Sequence, residues 1–216
     1  MDLFSEPRRL PLTDADIVYH PRPDIGISPD ELFQILRKEV IWEQHSIRIE
    51  DRIIPQPRLS SWYGDVVHTY STLATVLQPH PFIPILNALR KRLESITGSR
   101  FNSMLANLYR DGGDKIGWHS DNEPELGPEP VIASISLGAE RRFDLRRRDD
   151  HSKVARIVLE HGSLLIMGGG TQKNWQHGIA RRTEKVGERI NLTFRLTDKT
   201  KRRAIPKSGT HDFFAG

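Results

Sequence analysis

The segment Trp118-His119-Ser120-Asp121 carries an imidazole and a carboxylate two residues apart. In an extended chain such side chains point the same way, so His119 and Asp121 can offer two ligand atoms to one point. His177 is the candidate third ligand. Two histidines and one carboxylate on one face of non-haem Fe(II) leave positions open for a co-substrate and for O2. Structural histidines are the alternative, because the chain has 9 histidines and a distant partner is easily found.

A second pattern lies near the C-terminus, where polar and apolar residues alternate. The polar positions are Arg189, Asn191, Thr193 and Arg195, and the apolar positions are Ile190, Leu192, Phe194 and Leu196. A period of two predicts a strand with one polar and one apolar face. If the polar face lines the inside of a barrel, its two guanidinium groups can each hold a carboxylate by paired hydrogen bonds. A small dicarboxylate would satisfy both arginines, and an ordinary half-exposed strand is the alternative.

Asn107 and Tyr109 form a third polar pair on one face of a predicted strand. They would present an amide and a phenol hydroxyl to the same space. A core tyrosine beside a polar neighbour would give the same pattern.

The elements that must position these residues are two helices followed by many short strands. Ser28, Pro29 and Glu31 form a helix-start signal ahead of apolar residues at helical spacing. A second helix is predicted over 83–97, with Gly98 as its stop signal. Short strands are expected within 41–78. Further strands are predicted over 101–109, 131–137, 141–146, 154–160, 163–167, 174–179 and 188–196. Short strands divided by turns favour an antiparallel sandwich or barrel.

Composition narrows the class of protein. The chain has 216 residues, 37% hydrophobic and 28% charged, which is typical of one globular domain. It has no cysteine, which excludes a disulfide scaffold and a thiol nucleophile. We expect no secretory signal, no membrane span and a cytoplasmic location. The net charge is +4, and arginines cluster at 141–148 and 181–182. These clusters are either solvated surface or a track for phosphates.

Taken together, these motifs resemble the AlkB dioxygenases. The resemblance is carried by the order and spacing of several runs, which cover about 41–196. These runs are 107–112, His119-Ser120-Asp121, 132–138, 161–167, His177, and Arg189-Ile190-Asn191-Leu192-Thr193-Phe194-Arg195. Segments 57–64 and 68–71 look nearest to the members that accept single-stranded nucleic acid.

The resemblance implies a mainly β fold with flanking helices, the double-stranded β-helix or jelly roll. It implies that His119, Asp121 and His177 bind Fe(II), with 2-oxoglutarate and O2 as co-substrates. Asn107 and Tyr109 would hydrogen-bond 2-oxoglutarate, and Arg189 would pair with its distal carboxylate. Arg195 and Thr193 would steady its chelating end, with Asn191 beside them. The implied reaction removes N-methyl groups, such as those of 1-methyladenine and 3-methylcytosine, as formaldehyde, and yields succinate and CO2.

A base must leave its stack to reach a buried metal, which requires stacking surfaces at the mouth of the site. Trp42, His68 and Tyr70 match the family's substrate-lid region, although core packing would also explain Trp42. Asn122 follows Asp121 where relatives often carry a second aspartate. This neutral amide puts the preferred lesion in question. Residues 49–52 lack an aromatic wedge, which favours single-stranded DNA or RNA as substrate.

The expected organisation is an irregular N-terminal arm over 1–26, one dioxygenase domain over 27–197 and a basic tail over 198–216. The domain includes a nucleotide-recognition lid at about 41–78, and we expect a monomer. One alternative keeps the cofactors but takes a protein or small-molecule substrate. Two others are a non-catalytic nucleic-acid-binding module and a zinc hydrolase using the same ligands.

Overall fold

The computed structural model describes residues 6–49, 52–65, 77–198 and 200. Short antiparallel strands dominate these ranges, as the sequence predicts. The strands are β1 (Arg8–Arg9), β2 (Asp16–His20), β3 (Ser46–Ile49), β4 (Arg52–Pro55), β5 (Leu59–Gly64), β6 (Ser103–Tyr109), β7 (Ile116–His119), β8 (Ile132–Gly138), β9 (Arg141–Arg147), β10 (Val154–Leu159), β11 (Leu164–Gly168), β12 (Trp175–Ile179) and β13 (Arg189–Arg195). The helices are α1 (Pro29–Glu39), α2 (Pro84–Thr97) and the short α3 (Thr171–Asn174), with a 3-10 turn at Pro124–Leu126.

Two antiparallel sheets face each other. The larger has seven strands in the order β1-β2-β11-β8-β13-β6-β5, and the smaller has four in the order β10-β9-β12-β7. The hairpin β3–β4 forms a separate two-stranded sheet. Non-consecutive neighbours in both sheets confirm the jelly-roll prediction.

The two long helices cover the outer face of the larger sheet. The Ser28 hydroxyl accepts a hydrogen bond from the Glu31 backbone N–H at 3.1 Å, which caps α1 as predicted. In α2, Gly98 ends the helix in the left-handed conformation at φ +67°. The helices bury their leucines against the sheet together with Ile190, Leu192 and Phe194 of β13. The apolar face of β13 therefore points to the helices, and its polar face points between the sheets.

A second apolar cluster fills the space between the sheets. It joins Ile17, Tyr109 and Leu165 of the larger sheet to Leu145 and Trp175 of the smaller one. The helices of the described residues include none that is long and apolar enough to cross a membrane.

The prediction of an irregular N-terminal arm is wrong for two segments. Residues Asp16–His20 form β2, which pairs with β11 inside the larger sheet, and Arg8–Arg9 pair with β2. Ile17 and Tyr19 are buried while Asp16, Val18 and His20 are not, so a period of two was present in the sequence. Part of the expected lid also belongs to the larger sheet, since β5 pairs with β6. The basic tail lies almost wholly outside the described residues.

Candidate active site

A cluster of two histidines and one carboxylate lies between the sheets. His119 on β7 pairs directly across from His177 on β12, and Asp121 follows β7. One ligand atom from each of the three residues lies within 4.8 Å of the others. The structure thus brings together the three metal ligands predicted from sequence, which confirms their proximity.

The two imidazoles fit a metal. The Nδ1 of His119 lies 2.9 Å from the carbonyl oxygen of Gly117, which can only accept, so Nδ1 carries the proton and Nε2 is free to ligate. The Nδ1 of His177 is buried and makes no hydrogen bond within the described part of the chain. Burial, followed by the charges of His119 and Arg195, lowers the pKa of His177 to about 3. Burial also lowers the pKa of His119. Both shifts favour the neutral imidazole, which metal ligation requires.

Asp121 is held at its carboxylate and at its backbone. Its Oδ2 accepts a hydrogen bond from Nη2 of Arg195 at 2.8 Å, and its backbone N–H donates to Oε1 of Gln172 at 2.9 Å. Burial alone would raise the pKa of Asp121. Arg195 and the two histidines lower this pKa by a larger amount, so the net shift is downward. Asp121 is therefore ionised at neutral pH and fixed in orientation. Arg195 reaches the metal-ligand carboxylate directly.

Arg189 offers an anion site on the same face of β13 as Arg195. Its side chain is 1% exposed, and Nη2 donates to the Ser136 hydroxyl at 2.8 Å. Its guanidinium carbon lies 5.1 Å from the centre of the Tyr109 ring. Nε and Nη1 are buried and have no hydrogen-bond partner among the described residues. Unpaired buried donors are costly, and a bound anion would supply acceptors for them, so the Arg189 guanidinium fits a carboxylate of 2-oxoglutarate.

The remaining polar residues of this wall largely bond to one another. The amide of Asn191 donates to Ser134 at 2.8 Å, and the Thr193 hydroxyl donates to Asn191 at 3.1 Å. The Oδ1 of Asn107 accepts from Nε of Arg58 at 2.9 Å, which leaves the Asn107 nitrogen as its donor to a ligand. Their individual roles toward 2-oxoglutarate stay predictions.

The predicted substrate residues are less well placed. Trp42 is half-buried and packs against the helix-side core, as the core-packing alternative expects. Asn122 is exposed beside Asp121. His68 and Tyr70 lie outside the described residues.

Several residues of the site were missed by sequence reasoning. Arg58 orients Asn107, and Gln172 orients Asp121. Both partners are distant in the sequence, so no local spacing predicts them. Glu123, two residues beyond Asp121, was detectable by the same alternation that pairs His119 with Asp121. Burial, followed by the charge of Asp121, raises the pKa of Glu123 to about 7.

The arginine cluster of β9 divides into different environments. Arg141 is 1% exposed, and its guanidinium donates to backbone oxygens of Asp114 and Ala180 at 2.9 and 2.7 Å. Arg147 pairs with Asp14 and Asp149 at 2.9 and 2.7 Å. Arg141 is buried and Arg147 is paired with two carboxylates, so these two arginines do not belong to a track for phosphates.

Comparison with known proteins gives one consistent result. The sequence profile of the 2OG-Fe(II) oxygenase superfamily matches residues 28–195. Rat alpha-ketoglutarate-dependent dioxygenase alkB homolog 3 is 45% identical in an alignment of 174 residues, and the match covers 77% of this chain and 59% of the relative. Human DNA oxidative demethylase ALKBH2 is 39% identical over 80% of this chain and 70% of the relative. The chain therefore spans about three fifths of the length of the alkB homolog 3 proteins that it matches.

A similar fold is found among solved structures. The structure of OsALKBH1 aligns with a TM-score of 0.59, covering 83% of this chain and 97% of that one. Sequence identity in that alignment is 18%, so the match concerns the fold alone.

Proposed function

The chain belongs to the AlkB-like part of the 2OG-Fe(II) oxygenase superfamily, and on this basis we propose that it removes alkyl groups oxidatively from nucleic-acid bases. The substrates we propose are N-methylated bases such as 1-methyladenine and 3-methylcytosine in DNA or RNA. The observation that carries this proposal is the pairing of two features between the same sheets. One is the His119–Asp121–His177 cluster, and the other is the buried guanidinium of Arg189 with two unpaired donors.

Each residue has a defined task in this proposal. His119, His177 and Asp121 would hold Fe(II), and Arg195 keeps the Asp121 carboxylate charged and oriented. Arg189 would pair with the distal carboxylate of 2-oxoglutarate, with Tyr109 and Asn107 as further donors. Bound Fe(II), 2-oxoglutarate and O2 supply the oxidation of the methyl carbon, and the products are succinate, CO2, formaldehyde and the unmodified base. The cluster lies between the sheets, with Asp121 and His177 buried and His119 half-buried, so a base must be unstacked to reach it.

We propose further that single strands are preferred. The hairpin β3–β4 presents Ile53 and Ile54, which are 58% and 38% exposed. Its sequence from Ser46 to Pro55 contains no aromatic residue that could replace a base in a duplex. Bases in a single strand need no such wedge, because their unstacking costs less.

The test is a product assay on methylated oligonucleotides. Protein supplied with Fe(II), 2-oxoglutarate and O2 should release succinate and formaldehyde in equal amounts from a single strand containing 1-methyladenine or 3-methylcytosine. Less product should form when the same strand is annealed to its complement. An unmethylated strand and His177→Ala are the controls. Succinate without formaldehyde from any methylated strand would indicate a protein or small-molecule substrate and overturn the nucleic-acid proposal.

The monomeric state and the cytoplasmic location stay predictions. Analytical ultracentrifugation and imaging of the tagged chain would test them.

A further inference from the structure

An exposed tryptophan stands beside the metal cluster. Trp118 immediately precedes His119 on β7, the edge strand of the smaller sheet, and 42% of its surface is open to solvent. The tryptophans Trp62 and Trp175 are by contrast 1% and 4% exposed. Scattered apolar residues on a surface need no explanation. Trp118 differs because of what lies against it.

The guanidinium of Arg146 covers the indole of Trp118. Its central carbon lies 4.5 Å from the ring centre, and its Nε donates to Oε1 of Gln176 at 2.9 Å. Gln176 is neutral, and Arg146 forms no ion pair with any described residue. Its neighbour Arg147 is instead paired with two carboxylates. Arg146 is therefore held in place, and no carboxylate among the described residues compensates its charge.

The pair lies on the outward face of the smaller sheet. His119, Leu145 and His177 point between the sheets, so their neighbours Trp118, Arg146 and Gln176 point outward. Three arginines occupy outward positions of β9 and β10, against one carboxylate. These residues are Arg142, Arg146, Arg156 and Asp144. The outward face is therefore net positive, and its tryptophan stands at the edge next to the metal cluster.

We propose that Trp118 and Arg146 form a stacking platform for a base that flanks the target nucleotide in a single strand. The proposal rests on the proposed function and adds a second contact to it. Indole and guanidinium planes both stack on bases irrespective of sequence. An uncompensated guanidinium also attracts the adjoining phosphate. Trp118 and His119 are consecutive on the edge strand β7, so the platform lies one residue away from the metal cluster, on the other face of the same edge.

The test compares binding of a fluorescein-labelled single-stranded oligonucleotide by anisotropy. Trp118→Ala should raise its Kd about tenfold, since one base stack is lost. Trp118→Phe should recover most of the affinity, because a phenyl ring still stacks. Arg146→Gln should raise the Kd and reduce the slope of log K against log salt by about 0.7, the value for one phosphate contact on a single strand. Val158→Ala is the matched control, since Val158 is 47% exposed on the far strand of the same sheet.

A second measurement separates the platform from the reaction. Trp118→Ala should raise the KM of a methylated oligonucleotide more than it raises the KM of a methylated trinucleotide. The flanks of the trinucleotide are too short to use the platform fully. Equal Kd values for Trp118→Ala and Val158→Ala would overturn the platform. If Trp118→Ala lost the same activity on both substrates and its Kd did not change, Trp118 would instead support the metal cluster. If the wild type turns over no methylated substrate, the proposed function fails, while the anisotropy comparison still decides on the platform.

Discussion

Arg189 and Arg195 share one face of β13, yet the atoms around them give them different tasks. Arg195 donates a hydrogen bond to the carboxylate of Asp121. Nε and Nη1 of Arg189, by contrast, have no hydrogen-bond partner among the described residues. The alternation along β13 predicts the shared face. It does not predict the division of roles, because Asp121 is 74 residues away from Arg195 in the chain.

Replacing Arg189 tests the proposed 2-oxoglutarate site. Arg189→Met should raise the KM for 2-oxoglutarate by about tenfold to a hundredfold, since hydrogen bonds to a charged group contribute about 1.5–3 kcal/mol. Arg189→Lys should fall between, because an ammonium cannot form the paired bonds of a guanidinium. Succinate formation against 2-oxoglutarate concentration measures the effect, with the exposed Arg181→Met as control. An unchanged KM in Arg189→Met would contradict the assignment.

Metal binding can be followed through stability, without turnover. Mn(II) at a free concentration of about 100 times its Kd should raise the free energy of unfolding by about 2.7 kcal/mol. This corresponds to a Tm rise of about 5–10 °C in a chain of this size. His177→Ala should lose the rise, and His151→Ala, at an exposed position, should keep it. The same rise in His177→Ala would place the metal elsewhere.

At the scale of elements, local sequence signals predict the helices and most of the strands. They do not predict which strands pair with each other. Capping at Ser28 and the stop at Gly98 act over one helical turn, so the sequence shows them directly. The pairing of His119 with His177 depends on β7 and β12 meeting across the smaller sheet. Only the resemblance to AlkB dioxygenases placed those two histidines together before the fold was known. The strand β2 was missed because prolines around it outweighed a short alternation.

The turn between β6 and β7 sets the position of the metal cluster and depends on Asp114. Its carboxylate accepts from Nε and Nη2 of Arg110, both at 2.8 Å, and from the Arg110 backbone N–H at 2.9 Å. We expect Asp114→Asn to lower the free energy of unfolding by about 2 kcal/mol at neutral pH. Urea denaturation measures it, with the exposed Asp149→Asn as control.

The pH dependence of this contribution has a definite sign. Burial alone would raise the pKa of Asp114. Arg110 lowers this pKa by a larger amount, so the folded-state pKa lies below its usual value. The stabilisation is therefore present above the unfolded-state pKa of about 3.9 and is lost as pH falls through the folded-state value. The difference between wild type and Asp114→Asn should shrink in acid. A difference that grows in acid would contradict this account.

At the scale of the whole molecule, the N-terminal segment is part of the sandwich that encloses the site. Ile17 pairs with Met167 of β11 and is fully buried between the sheets. The sequence pattern indicated an irregular arm, because the buried face of β2 consists of only two residues. The structure assigns those two residues to the core shared by both sheets.

A substitution on β2 tests this placement. Ile17→Ala should lower the free energy of unfolding by about 2–5 kcal/mol, the cost of removing a buried side chain and leaving a cavity. Val18→Ala, on the opposite face of the same strand, should cost clearly less. Thermal or urea unfolding gives both values. Equal, small effects would indicate that residues 16–20 are not part of the core.

The proposal that this chain oxidises N-methyl groups on nucleobases is tested most directly by mass spectrometry of the substrate strand. A single strand carrying one 1-methyladenine or 3-methylcytosine should lose the mass of one CH2 unit after incubation with the protein, Fe(II), 2-oxoglutarate and O2. The strand should stay unchanged with His177→Ala or without 2-oxoglutarate. An unaltered mass for every methylated strand, from protein that binds metal and converts 2-oxoglutarate to succinate, would contradict the claim.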